Sequence, residues 1–414
     1  MLEGELTMKY KVKSIIYLVL IIIVSFMFIY SCENDHPDSI YDPNAPIGET
    51  PEITAVAPPD STLAGVGEVT ITGKNFSADK SRNVVFFNST SADIVESTEA
   101  QIIVKTPNLL SDSIAIRVAV QGAELFSNQI RYKLKPAAVG FGNLMDGSYV
   151  FGIAIDQPGN VYLSLEGNEI QRIKPDGSTA LFCKTSFLKA DNMKMGPDNT
   201  IFATFTGRIR KLVAIDANGT ETTYATLPAN PKDFDFDENG DIWVSIGNDV
   251  YIVKAEDKSN QKLLTFDRET FTIRVFDGYV YILTKDVSTH ATNQKIYRAA
   301  IQNETLGEPE LVLDVTAATW LNNADVLCFT FSATGTMVLG TNAEPDAVFL
   351  YDLSDESHDV LYPGLVPPSI YAMSWDEGSF LYVVQQYEDD EGTRASGIIR
   401  IDMAQDGAPY YGRR

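Results

Sequence analysis

The sequence predicts an all-β protein in which an N-terminal β-sandwich is followed by a six-bladed β-propeller. Three observations support this fold class. Residues 51–134 consist of short β-branched segments that alternate in polarity between turn residues, which is typical of a sandwich. Residues 138–414 repeat one pattern about every 40–50 residues, a length typical of propellers and solenoids. A hydrophobic content of 44% indicates a globular chain with a substantial core.

The N-terminus carries a predicted export signal. Residues 9–13 are basic, residues 15–30 are almost continuously apolar, and a serine precedes Cys32, so the three parts of a secretory signal peptide are present. The segment 28–32 resembles the lipobox of bacterial lipoproteins. This resemblance implies a signal peptide over residues 1–31 and acylation of Cys32, and two acyl chains suffice for stable anchoring. A membrane-spanning helix is the alternative, because a span needs roughly 17–25 residues and this run is at the short end.

Residues 32–50 are predicted to form a flexible tether, because they are rich in Pro, Asp and Asn and show no periodicity. The acidic cluster at residues 33–35 resembles the signal that carries lipoproteins to the cell surface in the Bacteroidetes. An ordinary acidic tether is the alternative. We therefore expect a lipid-anchored protein of the outer membrane that faces the cell exterior.

Charge and residue usage argue against several functions. The chain has 56 Asp and Glu against 32 Lys and Arg, and nucleic acid is disfavoured as a partner because phosphate binding needs a basic surface. The three His are far apart in sequence, which disfavours a metal site or a Ser/His/Asp triad, and we predict no cofactor. Cys183 and Cys328 lie in strand-like runs of separate repeats. We expect two buried free thiols, with a disulfide as the alternative.

Four stretches of residues 51–134 carry a resemblance to a known domain. They are Pro51 to Pro58, Gly67 to Phe76, Val84 to Asn88 and Thr106-Pro107. Together they resemble an IPT/TIG immunoglobulin-like domain, and the turn at residues 73–76 is the most specific part. The resemblance implies a spacer or a binding module and no particular chemistry.

Residues 138–414 contain six copies of one unit. Each unit has an apolar strand, a turn of Gly, Asp or Asn, a second strand with aromatic or aliphatic residues, and two further strands. The copies start near Gly152, Met193, Phe234, Phe271, Val326 and Tyr371. The pattern is clearest at residues 152–164 and 234–245, where it resembles NHL repeats. The resemblance implies six four-stranded blades in a closed ring without exposed sheet edges.

The order of the two domains carries a further resemblance. An IPT/TIG domain followed by a six-bladed propeller on a lipoprotein is similar to surface proteins of the Bacteroidetes. Several of those proteins accompany outer-membrane polysaccharide-uptake systems. The resemblance implies a polysaccharide or oligosaccharide ligand and a neighbouring outer-membrane transporter complex as a partner.

Several carboxylates are candidates for chemistry. The segment 235–240 reproduces the start of an EF-hand calcium loop, but Ile246 occupies the position of the bidentate Glu. A tight turn between strands is therefore the favoured interpretation. Asp233, Asp325 and Glu344 could serve a propeller enzyme around the central channel. A solvated or structural role is the alternative, because carboxylates are frequent throughout this acidic chain.

Sugar binding needs flat aromatic faces beside amides and carboxylates. The loops that enter the innermost strands supply the candidates Tyr149, Phe151, Phe271, Trp320, Asn322, Asn323, Asp325 and Tyr371. Trp320 is the best single candidate because it lies in a connection outside the repeated pattern. A connector tryptophan that packs between blades is the alternative.

We therefore expect a non-catalytic protein that binds extracellular polysaccharide for a neighbouring glycan-uptake system. Two alternatives stay open: a propeller enzyme with lactonase, lyase or glycosidase-like activity, and a cell-surface scaffold for protein interactions. Turnover of a glycan would separate the enzyme from the binder. Binding only to a partner protein would support the scaffold.

Overall fold

The computed structural model describes residues 47–145, 147–205, 210–288, 293–303, 305–388 and 392–413. The predicted signal peptide, the lipid site Cys32 and most of the predicted tether lie outside these residues. The described part of the chain is almost entirely β, as the sequence predicts. Within it, no helix is long and apolar enough to cross a membrane.

The N-terminal part is a sandwich of eight strands. Their bounds are β1 (Glu52–Ala57), β2 (Ser61–Leu63), β3 (Glu68–Lys74), β4 (Asn83–Phe87), β5 (Thr90–Ser97), β6 (Gln101–Lys105), β7 (Ser111–Val120) and β8 (Ile130–Lys135). The pairing order is β1-β3-β6-β5-β4-β7-β8-β2, and β5 joins the two layers by pairing with both β6 and β4. The pair β2 and β8 is parallel. One core packs between the layers and contains Ile71, Phe87, Ile102 and Ile116.

The turn at residues 73–76 explains the most specific part of the IPT/TIG resemblance. A Cβ atom on Gly73 would lie 2.0 Å from the backbone oxygen of Glu52, so only glycine fits beside β1. Asn75 has a φ of 62°, a left-handed conformation that asparagine tolerates better than most residues. Phe76 is buried in the sandwich core. Gly73, Asn75 and Phe76 therefore each have a distinct physical role in the turn at the end of β3.

The rest of the chain forms six blades of antiparallel strands. The strands are β9 (Ala138–Gly140), β10 (Val150–Ile155), β11 (Val161–Leu165), β12 (Glu169–Ile173), β13 (Thr179–Lys184), β14 (Asn192–Gly196), β15 (Thr200–Thr204), β16 (Lys211–Ile215), β17 (Glu221–Thr226), β18 (Pro231–Phe236), β19 (Ile242–Ile246), β20 (Asp249–Val253), β21 (Asn260–Thr265), β22 (Glu269–Phe276), β23 (Tyr279–Lys285), β24 (Gln294–Gln302), β25 (Thr305–Leu306), β26 (Glu310–Asp314), β27 (Val326–Phe331), β28 (Met337–Thr341), β29 (Val348–Tyr351), β30 (His358–Val360), β31 (Ile370–Trp375), β32 (Phe380–Glu388) and β33 (Arg394–Asp402). Short 3-10 turns occur at Lys80–Arg82, Pro197–Asn199, Thr319–Leu321 and Tyr411–Arg413.

The blades follow one another along the chain. Blades 1, 2 and 3 are β10 to β13, β14 to β17 and β18 to β21, and blade 5 is β27 to β30. Blade 4 consists of β22, β23, β24 and β26, with the two-residue β25 as an additional hairpin on β24. Blade 6 consists of β31, β32 and β33 with β9 as its outermost strand. The predicted six-bladed propeller is confirmed.

The early strand β9 closes the ring. It lies directly after the sandwich in sequence, yet it pairs with β33, the last strand of the chain. The pairs are Ala138 with Ile401, Val139 with Arg400 and Gly140 with Ile399. Hydrophobic clusters also join each blade to the next around the whole ring, including blade 6 to blade 1. The ring is therefore closed by packing between neighbouring blades and by blade 6, which combines the first strand of the propeller with the last three.

The segment that resembles a calcium loop is a tight turn between β18 and β19, as predicted. The carboxylate of Asp237 accepts hydrogen bonds from the backbone N–H of Asn239 at 2.9 Å and of Asp241 at 3.0 Å. Asp156 and Asp376 accept from the residue four positions later in the corresponding turns of blades 1 and 6. The repeated aspartate therefore fixes the innermost hairpin of a blade.

The two thiols differ in exposure. Cys328 on β27 is buried, whereas Cys183 on β13 is only half-buried, and both are free. The prediction of two free thiols is confirmed, and the prediction that Cys183 is buried is wrong. The reason is its position on the outermost strand of blade 1, where one side of the sheet meets solvent.

Candidate functional site

The innermost strands of all six blades surround a cavity of about 430 Å³ on the propeller axis. Its wall includes residues of β10, β14, β18, β22, β27 and β31. Apolar side chains such as Ile155, Met195 and Phe331 alternate there with charged ones. The cavity is therefore the central channel of the propeller.

The C-terminal segment lies across one end of this channel. Residues 408–410 line the cavity, and the backbone N–H of Ala408 donates to the carbonyl of Phe331 at 3.0 Å. The hydroxyl of Tyr410 donates to the carbonyl of Met195 at 2.7 Å. These two acceptors lie at or near the ends of β27 and β14. We call this end the floor.

The opposite end, the mouth, lies where the innermost strands begin. Lys232, Phe271, Asp325 and Tyr371 line the cavity there and are half-buried. The side chain of Lys232 keeps 39% of its surface exposed, so solvent reaches this end. Solvent therefore reaches the channel through the mouth.

Four charged side chains form a network in the channel wall. The ammonium of Lys194 lies 3.4 Å from a carboxylate oxygen of Asp233 and 3.5 Å from one of Asp235. The other oxygen of Asp233 accepts from the guanidinium of Arg274 at 2.8 Å. Two positive and two negative groups are thereby interleaved across three neighbouring blades.

Backbone N–H groups hold the two carboxylates in place. Asp233 accepts from Phe234 at 2.8 Å and from Ile273 at 3.0 Å. Asp235 accepts from Val275 at 2.8 Å through Oδ2. Because β18 and β22 belong to adjacent blades, these bonds fix both aspartates between the two strands.

Burial and charge shift the protonation equilibria of this network. Burial alone would raise the pKa of the Asp233 carboxyl, but Lys194, Arg274 and the backbone donors outweigh it and lower that pKa. Burial, together with the neighbouring guanidinium of Arg274, lowers the pKa of the Lys194 ammonium despite the two carboxylates. Burial raises the pKa of the Cys328 thiol to about 12, so the thiol stays protonated at neutral pH.

Some hydrogen-bonding capacity of the wall is unused by the protein. Oδ1 of Asp235 and Oδ1 of Asp325 are buried and accept no hydrogen bond within the described part of the chain. Within the described residues, Arg274 donates hydrogen bonds through Nη1 alone, to the carboxylate of Asp233 and to the carbonyl of Ile273. Both Oδ1 atoms lie beneath the surface of the wall, and Oδ1 of Asp235 is 3.5 Å from the ammonium of Lys194.

Three of the predicted sugar-binding residues meet at the mouth. Phe271, Asp325 and Tyr371 all line the cavity. Lys232 lies 5.1 Å from the ring centroid of Phe271, and Lys285 pairs with Asp325 at 2.9 Å. Burial, with a contribution from the charge of Asp191, raises the pKa of Tyr371 to about 12. Its phenol therefore stays neutral at physiological pH.

Tyr149 and Phe151 lie at the start of blade 1 and are not part of the cavity wall. Their rings pack edge to face at 5.0 Å, and the ammonium of Lys189 lies 3.6 Å from the centroid of Phe151. The hydroxyl of Tyr149 donates to Gln386 at 2.9 Å. Phe151 is only 8% exposed, so its ring offers little surface to a ligand.

Trp320, Asn322 and Asn323 are not in the cavity wall. The indole of Trp320 stacks on His358 at 4.4 Å and packs against Phe349, both in blade 5. It borders the hydrophobic cluster that joins blades 4 and 5. The packing of a connector tryptophan between blades, which was the alternative, is what the structure shows. The two asparagines are exposed in the following turn, and Glu344 is also exposed and outside the wall.

Sequence reasoning missed Lys194, Asp235 and Arg274 as channel residues. The available signal was a charged residue within the apolar innermost strand of a unit, as in Met193-Lys194-Met195. Such a residue faces the axis, because the sides of the strand pack against neighbouring blades. The sequence indicates Asp233 as a candidate carboxylate, and the structure gives it the most central place in the network.

Within the described residues, no three His, Cys, Asp or Glu side chains come together in an arrangement that could hold a metal ion. The carboxylates of the channel are instead interleaved with Lys194 and Arg274.

Comparisons with known proteins agree with this architecture. Residues 51–134 match the family model of the IPT/TIG domain. This segment is an IPT/TIG domain. It precedes a six-bladed propeller, and no curated protein matches the chain significantly.

Three solved structures are similar to the chain. A protein of unknown function from Bacteroides thetaiotaomicron has 14% identity and a TM-score of 0.50, covering 87% of this chain and 99% of its own. An auxiliary nutrient binding protein from the same organism has 13% identity and a TM-score of 0.47, covering 87% and 98%. A luciferin-regenerating enzyme has 10% identity and a TM-score of 0.51, covering 66% and 96%. At these identities, a likeness shows the fold alone.

Proposed function

We propose that this protein binds an extracellular saccharide non-catalytically, by taking the end of the chain into the mouth of the propeller channel. The observation that carries the proposal is the pocket itself, which is open at the mouth and has a wall of aromatic and charged side chains. Ligand pockets usually measure about 300–1,000 Å³, and a cavity of about 430 Å³ lies in that range.

The shape of the pocket favours the end of a chain over its middle. Residues 408–410 line the cavity at the floor, so they lie in the path of a polymer that would thread the channel. One or two sugar units would fill the cavity, and the rest of the chain would leave through the mouth. A polysaccharide would therefore be held by its terminus.

The mouth offers the chemistry that sugars need. Phe271 and Tyr371 present aromatic surface that can pack on sugar C–H groups. Asp325 is a half-buried carboxylate of the wall, and Lys232 is a half-exposed donor. Aromatic faces beside a few polar groups are typical of small-molecule sites.

The proposal includes a location and a partner. An acylated Cys32 would anchor the protein in the outer membrane, and the IPT/TIG domain would serve as a spacer between anchor and propeller. The captured saccharide would then be passed to a neighbouring uptake transporter. The predicted export signal and the strongly acidic composition support an exposed location.

A propeller enzyme is the second candidate, and Lys194 is the observation that favours it. Its ammonium is buried in the channel, and burial lowers its pKa. A lysine with a lowered pKa can act as a general base. Asp233 is less suited to that role, because its lowered pKa makes the carboxylate a weak base.

A glycan array with product analysis tests the proposal. The soluble chain from residue 37 is applied to oligosaccharides of varied sugar and linkage, beside the variants Phe271→Ala and Trp320→Ala. We expect binding without cleavage, weakened about tenfold or more by Phe271→Ala, given the roughly 0.5–1.5 kcal/mol of an aromatic contact plus its buried area. Trp320→Ala is the matched control and should bind like the wild type.

Other outcomes have clear meanings. No binding to any saccharide would overturn the proposal. Cleavage that is lost in Lys194→Met would favour the enzyme. Binding that survives Phe271→Ala but disappears in Trp320→Ala would move the site from the channel to blade 5.

A further inference from the structure

Exposed apolar side chains gather at one corner of the sandwich. Leu125 and Phe126, in the connection between β7 and β8, are 65% and 48% exposed. The ring of Phe126 packs edge to face on Phe86 at 5.8 Å, and the exposed Val84 lies on the same face of β4 as Phe86. The guanidinium of Arg117 lies 4.9 Å from the centroid of Phe126. We call the surface of these five residues the apolar corner. Such a surface commonly marks an interaction site.

The chain enters the sandwich beside this corner. The backbone N–H of Gly48 donates to the carbonyl of Gly122 at 2.8 Å, three residues before Leu125. Gly122 in turn follows Val120, the last residue of β7. Ile47, next to Gly48, is also exposed. The chain that follows the predicted tether is therefore fixed at the end of the sandwich that carries the apolar corner.

The chain leaves the sandwich at the opposite end. Strand β7 runs from Ser111 to Val120, and ten residues of extended strand span about 30 Å. Its first residue, Ser111, pairs with Leu134 near the end of β8. The chain continues from there, after Lys135, into the propeller. The apolar corner therefore lies at the end of the sandwich that faces the tether and away from the end that leads to the propeller.

The length of the tether limits how far this corner can lie from a lipid anchor. Residues 33–46 separate the predicted lipid site Cys32 from Ile47. A chain of this length reaches about 50 Å when fully extended. As a flexible coil it spans about 20 Å. An acyl anchor at Cys32 would therefore keep the apolar corner close to the lipid surface.

Charge does not oppose such an approach. Residues 51–135 contain nine acidic and eight basic side chains, so the sandwich lacks the acidity that gives the whole chain its −24. Near the corner, Arg82 and Arg117 balance the exposed Glu49 and Glu124. A lipid surface with anionic headgroups would therefore be repelled little by this end of the molecule. The attraction that remains is the apolar one.

We propose that the apolar corner docks on the lipid bilayer that carries the predicted anchor. Leu125 and Phe126 enter the boundary between headgroups and acyl chains, and Arg117 keeps its charge at the headgroup level. The anchor holds the corner at a high local concentration, so a small apolar surface suffices. Docking gives the sandwich a second attachment beside Cys32. It does not depend on what the propeller channel binds.

Hydrogen exchange on the tethered protein tests the docking. A hexahistidine tag replaces residues 1–32, and mass spectrometry follows the tagged chain in solution and on phosphatidylcholine vesicles that contain a nickel-chelating lipid. The result then does not depend on acylation. We expect the amides of residues 121–127 to exchange about fivefold more slowly, or slower still, on the vesicles, because burial of two large apolar side chains favours the docked state. The amides of residues 108–113, at the far end of β7, should not change.

Two variants locate the docking surface. Leu125→Glu should abolish the slower exchange, because a charge would have to enter the apolar boundary. Leu110→Glu is the matched control. Leu110 is 58% exposed and directly precedes β7, so the same change is made at the opposite end of the sandwich. This variant should behave like the wild type.

Equal exchange of residues 121–127 in solution and on vesicles would overturn the inference, whatever the variants show. Slower exchange that needs no vesicles and increases with protein concentration would assign the corner to a second copy of the chain, and would overturn it too. An effect lost equally in Leu110→Glu would show that the apolar corner is not the docking surface. None of these results bears on saccharide binding, which the glycan array measures separately.

Discussion

Asp233 is the residue that ties three blades together at the propeller axis. Its carboxylate meets Lys194 of blade 2 and Arg274 of blade 4 from its own position in blade 3. It is 2% exposed and accepts two backbone hydrogen bonds as well. Loss of this charge would leave the buried cations Lys194 and Arg274 with Asp235 as the one carboxylate of the network, which is far more costly than loss of a surface ion pair.

We therefore expect Asp233→Asn to lower the free energy of unfolding by about 3–5 kcal/mol at pH 7, as when one partner of a buried ion pair is removed. Urea unfolding followed by tryptophan fluorescence measures this. The chain has three tryptophans and all lie in the propeller, so the signal reports on the propeller alone.

The effect should depend on pH in one direction. The pKa of Asp233 is lower in the folded protein than its ordinary value of 3.8, so its stabilisation is complete above that value and is lost as the pH falls through the folded pKa. The difference between wild type and Asp233→Asn should therefore shrink when unfolding is repeated at about pH 3. An unchanged difference would show that the charge of Asp233 is not the source of the stability.

Trp320 gives the second prediction at this scale. Its indole is stacked on His358 and borders the cluster between blades 4 and 5. Because truncation would leave a gap there, Trp320→Ala should cost about 2–4 kcal/mol of stability, somewhat less than for a fully buried tryptophan. Urea unfolding followed by the remaining tryptophans measures this. Unchanged stability would show that the stacking contributes nothing to the fold.

The candidate site was only partly predictable at the residue scale. Phe271, Asp325 and Tyr371 stand at predicted strand starts, and the propeller brings strand starts together at one end of the channel. Trp320 stands out in the sequence because it lies in a connection outside the repeated pattern. A local pattern does not show, however, against which residues a connecting loop packs. Arg274 was missed because its partner Asp233 lies in another repeat, and pairs across repeats depend on the closed ring.

The innermost strands explain why the number of blades could be predicted from the sequence, whereas the outer strands of each blade could not be assigned as clearly. In β10 all six residues are buried, because the strand is covered by neighbouring blades on both sides. Such strands lose the alternation of a half-exposed sheet and read as apolar runs followed by a turn of Gly, Asp or Asn. That signal repeats six times. The outer strands, such as β13 and β30, have weaker patterns because solvent replaces one of their neighbours.

Strand β9 is the element that the sequence indicated least. It has three residues, and the sequence from Ala138 to Gly140 does not indicate that this strand pairs with the last strand of the chain. The pairing follows from geometry, because blade 6 would otherwise expose the edge of β33. Closure by an early strand satisfies that edge and fixes the ends of the ring to each other.

Removal of β9 should weaken the propeller. We expect a propeller fragment that begins at residue 141 to melt about 5–10 °C below one that begins at residue 136, since a change of 1 kcal/mol moves the Tm of a large domain by about 2–4 °C. Differential scanning fluorimetry measures the two midpoints. The shorter fragment should also self-associate in light scattering, because the edge of β33 is unpaired. Equal midpoints and monomeric behaviour would show that β9 contributes nothing to closure.

At the scale of the whole molecule, two separate cores predict two unfolding units. The core of the sandwich contains residues from 53 to 134 only, and the propeller clusters contain none of them. The fragment 47–136 should therefore fold alone and show a cooperative transition by circular dichroism. Its midpoint should match a transition of the full chain that tryptophan fluorescence does not detect. A single transition common to both signals would contradict this independence.

The global charge and the local charge of the molecule differ, and only the first is visible in composition. The chain carries −24, which disfavours nucleic acid and other polyanions. The channel wall has no net formal charge, because it contains four acidic and four basic residues. Composition therefore describes the surface that a partner approaches, whereas the ligand class depends on which charges the fold brings to the axis.

Strand β9 also sets the path of mechanical load. Only two residues separate β8 of the sandwich from β9, so a pull from the N-terminal side passes almost directly into blade 6. There it meets the three residue pairs that join β9 to β33. The innermost strand of the same blade carries Tyr371 and Trp375 on the channel wall. Tension on the chain therefore reaches a blade that also contributes side chains to the wall of the channel.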